Sequence, residues 1–170
     1  MTRTTNPDAE ALYRALLDQA QALIQADRAQ WSVAGIHSGG AWIAQRLGAD
    51  LGLPDHGVIN VAFHRDDYAK KGLHSQAQPS TLPFEVQDRK ILLIDDVLAT
   101  GRTIRAAVNE LFDYGRPARV ALGVLVDRGG RELPIAADYV AATISLADRG
   151  QQLVLQRADD GRFSFTVTHA

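Results

Sequence analysis

Four apolar residues in a row, Ile91-Leu92-Leu93-Ile94, run straight into two carboxylates, Asp95 and Asp96, and a hydroxyl-rich turn, Thr100-Gly101-Arg102-Thr103, follows closely. An uninterrupted aliphatic run of this length reads as a strand buried on both faces, as in a parallel sheet. The acids are expected to end it. Beyond the turn, Ile104, Ala107, Val108, Leu111 and Phe112 recur at helical spacing until Gly115 and Pro117 stop the helix. The chain thus delivers carboxylates at the end of a strand and opens a helix just after them. In open α/β sheets that is the edge where ligands bind.

The flanking segments fit the same architecture. Asn6-Pro7 is a helix-start signal, with Asp8 and Glu10 near the positive end of the helix dipole. Ala9, Leu12, Tyr13, Leu16, Ala20, Leu23 and Ile24 then mark one apolar face over about residues 8–27. A short apolar run, Trp31 to Ile36, leads into His37-Ser38-Gly39-Gly40. A second helical pattern through Ala41, Ile43, Ala44, Leu47 and Leu51 stops at Gly52 and Pro54. Val58 to Phe63 reads as a strand, and residues 65–85 have little periodicity. Val120–Val126 and Tyr139–Ile144 are further strands. Leu153-Val154-Leu155 and Phe163–Val167, placed around Asp159-Asp160-Gly161, form a terminal hairpin. Strands alternating with helices predict a doubly wound, mainly parallel α/β sheet flanked by helices. No composition break divides the chain, so residues 1–170 are read as one domain.

Composition removes several classes of function. With 18 Lys and Arg against 20 Asp and Glu the net charge is −2, which excludes a broadly basic nucleic-acid coat. There is no cysteine, so no disulfide, thiol-redox or cysteine-based zinc site is available. The apolar runs fall far short of the ~20 residues of a membrane span, and no apolar signal stretch follows the first residues. A cytoplasmic protein without membrane association is expected.

The turn has a specific chemistry. Backbone N–H groups at a helix start form an anion site, to which Thr100 and Thr103 add hydroxyls, and Gly101 permits close approach. Such a turn holds one phosphate. Asp95 and Asp96 would repel that phosphate but would accept hydrogen bonds from neighbouring sugar hydroxyls. A phosphate beside vicinal hydroxyls describes a ribose 5-phosphate. The acid pair alone is equally compatible with a structural turn; the Thr-Gly-x-Thr that follows it decides for chemistry. The nucleoside-triphosphate pattern G-x-x-x-x-G-K-[ST] and the dinucleotide fingerprint G-x-G-x-x-G are both absent.

Four hydrophobics, two acids and Thr-Gly-x-Thr resemble the phosphoribosyl pyrophosphate (PRPP) motif of type I phosphoribosyltransferases. Arg65-Asp66-Asp67-Tyr68-Ala69-Lys70-Lys71, Tyr114-Gly115-Arg116-Pro117 and Val124–Val140, with its Arg131-Glu132-Leu133-Pro134-Ile135 block, extend the likeness to the PyrR family. These are pyrimidine operon regulators that are also uracil phosphoribosyltransferases. The resemblance covers most of the chain from Gly35 to Val140 and implies the type I fold, with a small hood besides the hairpin. It implies that uracil and PRPP give UMP and pyrophosphate, with Mg²⁺ carried by PRPP and no direct side-chain ligand for it. Ala99, Thr100, Gly101, Arg102 and Thr103 then bind the 5-phosphate. Asp95 and Asp96 are catalytic and contact the ribose hydroxyls, with charge stabilisation as C1–O breaks. His37, Ser38, Gly39 and Gly40 form the pyrophosphate loop, often with a cis peptide. Residues 65–85 match a mobile active-site loop that brings catalytic Arg65, with Lys70 and Lys71, to the pyrophosphate. Asp138, Tyr139, Val140 and Arg128 fall at the base pocket.

The chain departs from its likeness in two places. Typical members carry arginine at the positions of His37 and Gly39, which leaves more of the pyrophosphate contact to backbone. Attenuating members, which bind messenger RNA, carry cations where this chain has Gly130, Ala136 and Ala142, and polar or basic residues where it has Leu17, Asp18 and Gln21. Arg131 alone keeps its charge. These losses point away from RNA binding. The expected assembly is a homo-oligomer. The alternative to an enzyme is a regulator that senses UMP or PRPP through the same pocket with little or no turnover.

Overall fold

A computed structural model describes residues 6–61, 78–148 and 150–169. Its frame is a five-stranded sheet built from β1 (Trp31–Ile36), β2 (Gly57–Ile59), β3 (Lys90–Leu98), β4 (Arg119–Asp127) and β5 (Tyr139–Thr143). The order is β2-β1-β3-β4-β5, and every neighbouring pair is parallel. Helices α1 (Ala9–Ile24), α2 (Gly39–Asp50) and α3 (Arg102–Tyr114) cover it, with an antiparallel hairpin of β6 (Gln151–Arg157) and β7 (Phe163–His169). This is the doubly wound sheet and terminal hairpin that the hydrophobic pattern predicts.

The two-residue period of β3 divides the core. Leu92 and Ile94 pack with Tyr13, Leu16, Ile43, Leu47 and the hairpin's Leu155 and Phe163. Ile91 and Leu93 face the other way, against Ile104, Ala107 and Leu111 of α3. A strand sandwiched in this way has no polar face, which explains its unbroken aliphatic run. The chain passes from β1 outward to β2 and then returns to lay β3 on the opposite side of β1. The sheet therefore reverses its winding between β1 and β3, and the loops leaving those two strands flank the resulting crevice.

Three boundaries differ from the sequence expectation. Asp8, not Asn6, caps α1, by accepting the Ala11 N–H at 3.1 Å. Strand β2 ends at Ile59, and Val58 also exchanges both backbone hydrogen bonds with Thr81, so part of the aperiodic 65–85 stretch is built onto the sheet. Asp95 and Asp96 lie within β3 and do not end it. Asp95 pairs with Val124, and the ladder continues to Leu98 opposite Asp127. Aspartate disfavours strands, but each carboxylate here accepts the next residue's N–H, Asp96 N at 2.9 Å and Val97 N at 2.8 Å.

A polar cluster fastens the hairpin. Glu10 accepts both Nη atoms of Arg46 at 2.9 Å and the Phe163 N–H at 2.7 Å. The Arg46 guanidinium lies 4.0 Å from the centre of the Tyr13 ring and 5.2 Å from that of Phe163. The Arg46 hydrogen bonds hold the Glu10 carboxyl below its usual range, against a burial that pushes it up, and the Phe163 N–H adds to the lowering. Burial, then the bond that Tyr13 donates to Asp50, push the Tyr13 phenol well above its ordinary value.

Candidate active site

The C-terminal half of β3 and the start of α3 form the centre of the site. Asp95 is buried, 7% exposed, and Asp96 is half-buried. Asp95, Val97, Leu98, Ala99, Thr100, Gly101 and Thr103 line one small cavity at the mouth of the turn. Gly101 immediately precedes α3 at φ +94°, a conformation that an L side chain rarely adopts. The Thr100 hydroxyl accepts the Arg102 N–H at 3.2 Å. A phosphate seated here would meet a helix N-terminus and two threonines.

The loop leaving β1 supplies the opposite wall. His37 is exposed and joined to Ser38 by a cis peptide. Gly39 and Gly40 open α2 and are buried against the acid pair. A Cβ on Gly40 would fall 2.5 Å from the Ile94 carbonyl oxygen and 3.3 Å from Asp95 Oδ1, and one on Gly35 would fall 2.0 Å from the Gly40 oxygen. Three glycines thus let the β1 loop lie flat against the end of β3. Gly39 and Gly40 lie against the acid pair, with His37 and Ser38 just before them in the same loop. Arg65, Lys70 and Lys71 lie outside the described residues.

The expected base-side residues divide. Asp138 donates its N–H to the Leu122 oxygen at 2.9 Å and accepts the Leu122 N–H on its carboxylate at 2.8 Å. Its side chain is thereby fastened to the middle of β4. Val140 lies in one row with Val124 and Asp95 across three strands, with Tyr139 beside it. Arg128 donates from its backbone to Leu98 and from its side chain to Gln151, both at 3.0 Å, tying β3 to the hairpin.

Sequence reasoning missed how the turn is held from behind. The Thr100 carbonyl accepts the N–H groups of Glu132 at 2.9 Å and Leu133 at 3.1 Å. Leu133 and Ile135 side chains stand where a Cβ on Gly101 would meet them, at 3.5 and 3.2 Å. Arg102 pairs with Glu132 at 2.6 Å. Arg131 donates to the Ala99 oxygen and to the Ile135 oxygen, each at 2.7 Å, and pairs with Asp127. Opposite charges close together in sequence allow Asp127 and Arg131 to pair, but nothing in the sequence signals the reach to Ala99, 32 positions away.

The sheet, the acid pair within β3 and the Thr-Gly-x-Thr helix start define a type I phosphoribosyltransferase. The phosphoribosyl transferase domain family matches residues 4–153. A Ralstonia nicotianae protein named Bifunctional protein PyrR is 65% identical over 163 residues, covering 94% of this chain and 93% of its own. One of the same name from Nitrosococcus oceani is 50% identical over 159 residues, covering 91% and 89%. The chain belongs to the PyrR-type branch of the phosphoribosyltransferase family. Among solved structures, the hypoxanthine phosphoribosyltransferase of Trypanosoma cruzi superposes with a TM-score of 0.62 at 18% identity, covering 95% of this chain and 94% of its own. The HGPRT-ase of Leishmania tarentolae gives 0.61 at 19% identity, covering 86% and 84%. At such identities the likeness speaks for the fold. Among the described residues no helix is long and apolar enough to cross a membrane.

Proposed function

We propose that the chain is a uracil phosphoribosyltransferase: it moves the 5-phosphoribosyl group of Mg²⁺–PRPP onto uracil, giving UMP and pyrophosphate. The observation that carries this reading is the convergence of Asp95, Asp96, the turn Thr100–Thr103 and the glycines Gly39 and Gly40 on one crevice. The choice of uracil rests on likeness to relatives named PyrR.

In this reading the N–H groups and hydroxyls of residues 99–103 bind the 5-phosphate and fix the ribose by one end. Asp96, the less buried acid, takes the ribose hydroxyls, and Asp95 supports it through the Asp96 N–H. As the C1–O bond to pyrophosphate breaks and the C1–N bond to the base forms, positive charge gathers on the ribose ring. The carboxylates stabilise it because they are in place beforehand. Backbone at Ser38–Gly40 faces the departing pyrophosphate, and Arg65, Lys70 and Lys71 are its proposed cations. Asp138, Tyr139, Val140 and Arg128 are the proposed base neighbours.

Product chromatography with Mg²⁺–PRPP and uracil, orotate, hypoxanthine or guanine tests the proposal. UMP from uracil alone is the expected result; product from another base and none from uracil overturns it. The second reading, a UMP- or PRPP-sensing regulator, is favoured by one feature: His37 and Gly39 stand where arginines would meet pyrophosphate. Tight UMP binding with no product from any base would select it.

In either case we propose that messenger RNA is not a tight ligand. Gly130, Ala136 and Ala142 carry no charge, and the cation among them, Arg131, is engaged with Asp127, Ala99 and Ile135. UMP-dependent binding of leader RNA below micromolar concentration, read by gel shift, would refute this part.

A further inference from the structure

We infer that Arg131 is a positioning residue for phosphate recognition, aiming the N–H groups of the 99–103 turn without touching substrate. The inference rests on the phosphoribosyltransferase reading of that turn. A peptide unit is planar and trans, so its C=O and N–H point in opposite directions. Pinning a carbonyl therefore aims the N–H of the following residue. Arg131 pins the Ala99 carbonyl at 2.7 Å, which directs the Thr100 N–H away from Arg131. The backbone of Glu132 and Leu133 pins the Thr100 carbonyl, which directs the Gly101 N–H the same way. Both residues line the small cavity beside Asp95. Two successive amides are thus oriented by the segment that Arg131 organises.

The guanidinium is itself over-determined. Nε donates to Ile135, Nη1 to Ala99 and Nη2 to Asp127. Asp127 ends β4 directly beside Leu98 and also accepts the Gly129 N–H at 2.9 Å, so the fork is anchored to the sheet. The Arg131 hydrogen bond keeps the Asp127 carboxyl below its usual range, against burial, with the Gly129 N–H assisting. A planar fork with three fixed acceptors holds direction where a lysine would supply a single point charge. The bond to Ile135 also steadies the side chain that fills the space above Gly101.

The test uses the full chain and the variants Arg131→Gln, Arg131→Lys and Asp127→Asn, with steady-state kinetics and calorimetric titration of PRPP and UMP. Arg131→Gln is expected to raise KM for PRPP and Kd for UMP about tenfold or more, the scale of a lost charge-assisted hydrogen bond. kcat and KM for uracil are expected to stay within about threefold, because the acids are undisturbed. Arg131→Lys should fall between Arg131→Gln and the parent, and Asp127→Asn should shift the same two constants in the same direction. Merely structural damage would lower the active fraction, hence kcat, and leave KM for PRPP alone; that pattern overturns the inference. If Arg131→Gln fails to fold by circular dichroism, unchanged PRPP and UMP constants in the other two variants overturn it instead. A parent chain that binds neither PRPP nor UMP overturns the phosphoribosyltransferase reading and this inference together. A parent that binds both, with variants that bind equally, overturns the positioning role alone.

Discussion

Gly39 and Asp96 share one space: a Cβ on the glycine would fall 2.4 Å from the Asp96 Oδ2 and 2.9 Å from its Cγ. Gly39 opens α2, where alanine is the better helix former by up to about 1 kcal/mol. The side chain that must move is a rotatable carboxylate. Gly39→Ala is therefore expected to leave thermal stability within a few degrees of the parent while swinging the Asp96 carboxylate aside. Because typical members carry arginine at this position, the loss of kcat/KM is expected to be smaller than that of Asp96→Asn, and kcat/KM beside a melting curve reads both effects.

Asp96 and Thr103 should fail in different ways. Asp96→Asn removes charge that matters most in the transition state, so kcat is expected to fall by about 10²–10³ with a smaller change in PRPP affinity. Thr103→Val removes a phosphate contact present in ground and transition states alike, so KM for PRPP is expected to rise while kcat holds. Unchanged kcat in the first, or unchanged KM in the second, would reassign those residues.

Gly35 makes the opposite case to Gly39. An added Cβ there meets backbone, the Gly40 oxygen at 2.0 Å and carbon at 2.5 Å. Backbone has no rotamer to escape into, so Gly35→Ala is expected to destabilise the fold by about 3 kcal/mol or more. Urea unfolding of Gly35→Ala beside Gly39→Ala checks the contrast.

The Glu10 cluster makes the hairpin sensitive to acid. Because the folded state holds the Glu10 carboxyl below its ordinary value of 4.5, its stabilisation is fully present above that value and lost as pH falls through the folded one. Glu10→Gln is expected to lower stability at neutral pH by about 1.5–3 kcal/mol. The gap to the parent should begin to narrow below about pH 4.5 and close once pH has fallen through the lowered folded value, where the parent too is protonated. Unfolding at a series of pH values, with hydrogen exchange at β6 and β7, separates this from a uniform loss.

What the sequence discloses here follows locality. The run Ile91–Ile94, the helix stripe through Leu111 and the turn at Asp159-Asp160-Gly161 announce their elements because neighbours along the chain determine them. The extent of β3 is less visible: Asp95 and Asp96 look like terminators, and their place in a ladder depends on the opposite strand, β4. The phosphate turn is legible because its chemistry is contiguous, from Asp95 to Thr103. Arg131 is not, since its acceptors at Ala99 and Ile135 are backbone carbonyls, which carry no residue signature. The tie of Asp138 to β4 is hidden for the same reason, its partner being the main chain of Leu122.

The bond from Phe163 to Glu10 joins positions 153 apart. Closing so long a loop carries an entropic cost that local helices and neighbouring strands do not face. The order of synthesis adds to it, because β7 leaves the ribosome after every strand of the central sheet. A nascent chain can have its sheet, its acid pair and its Thr turn in place while the apolar flank of α1 still waits for Phe163 and Phe165. During that interval this flank is what the emerging protein shows to its surroundings, and docking of the hairpin is what withdraws it.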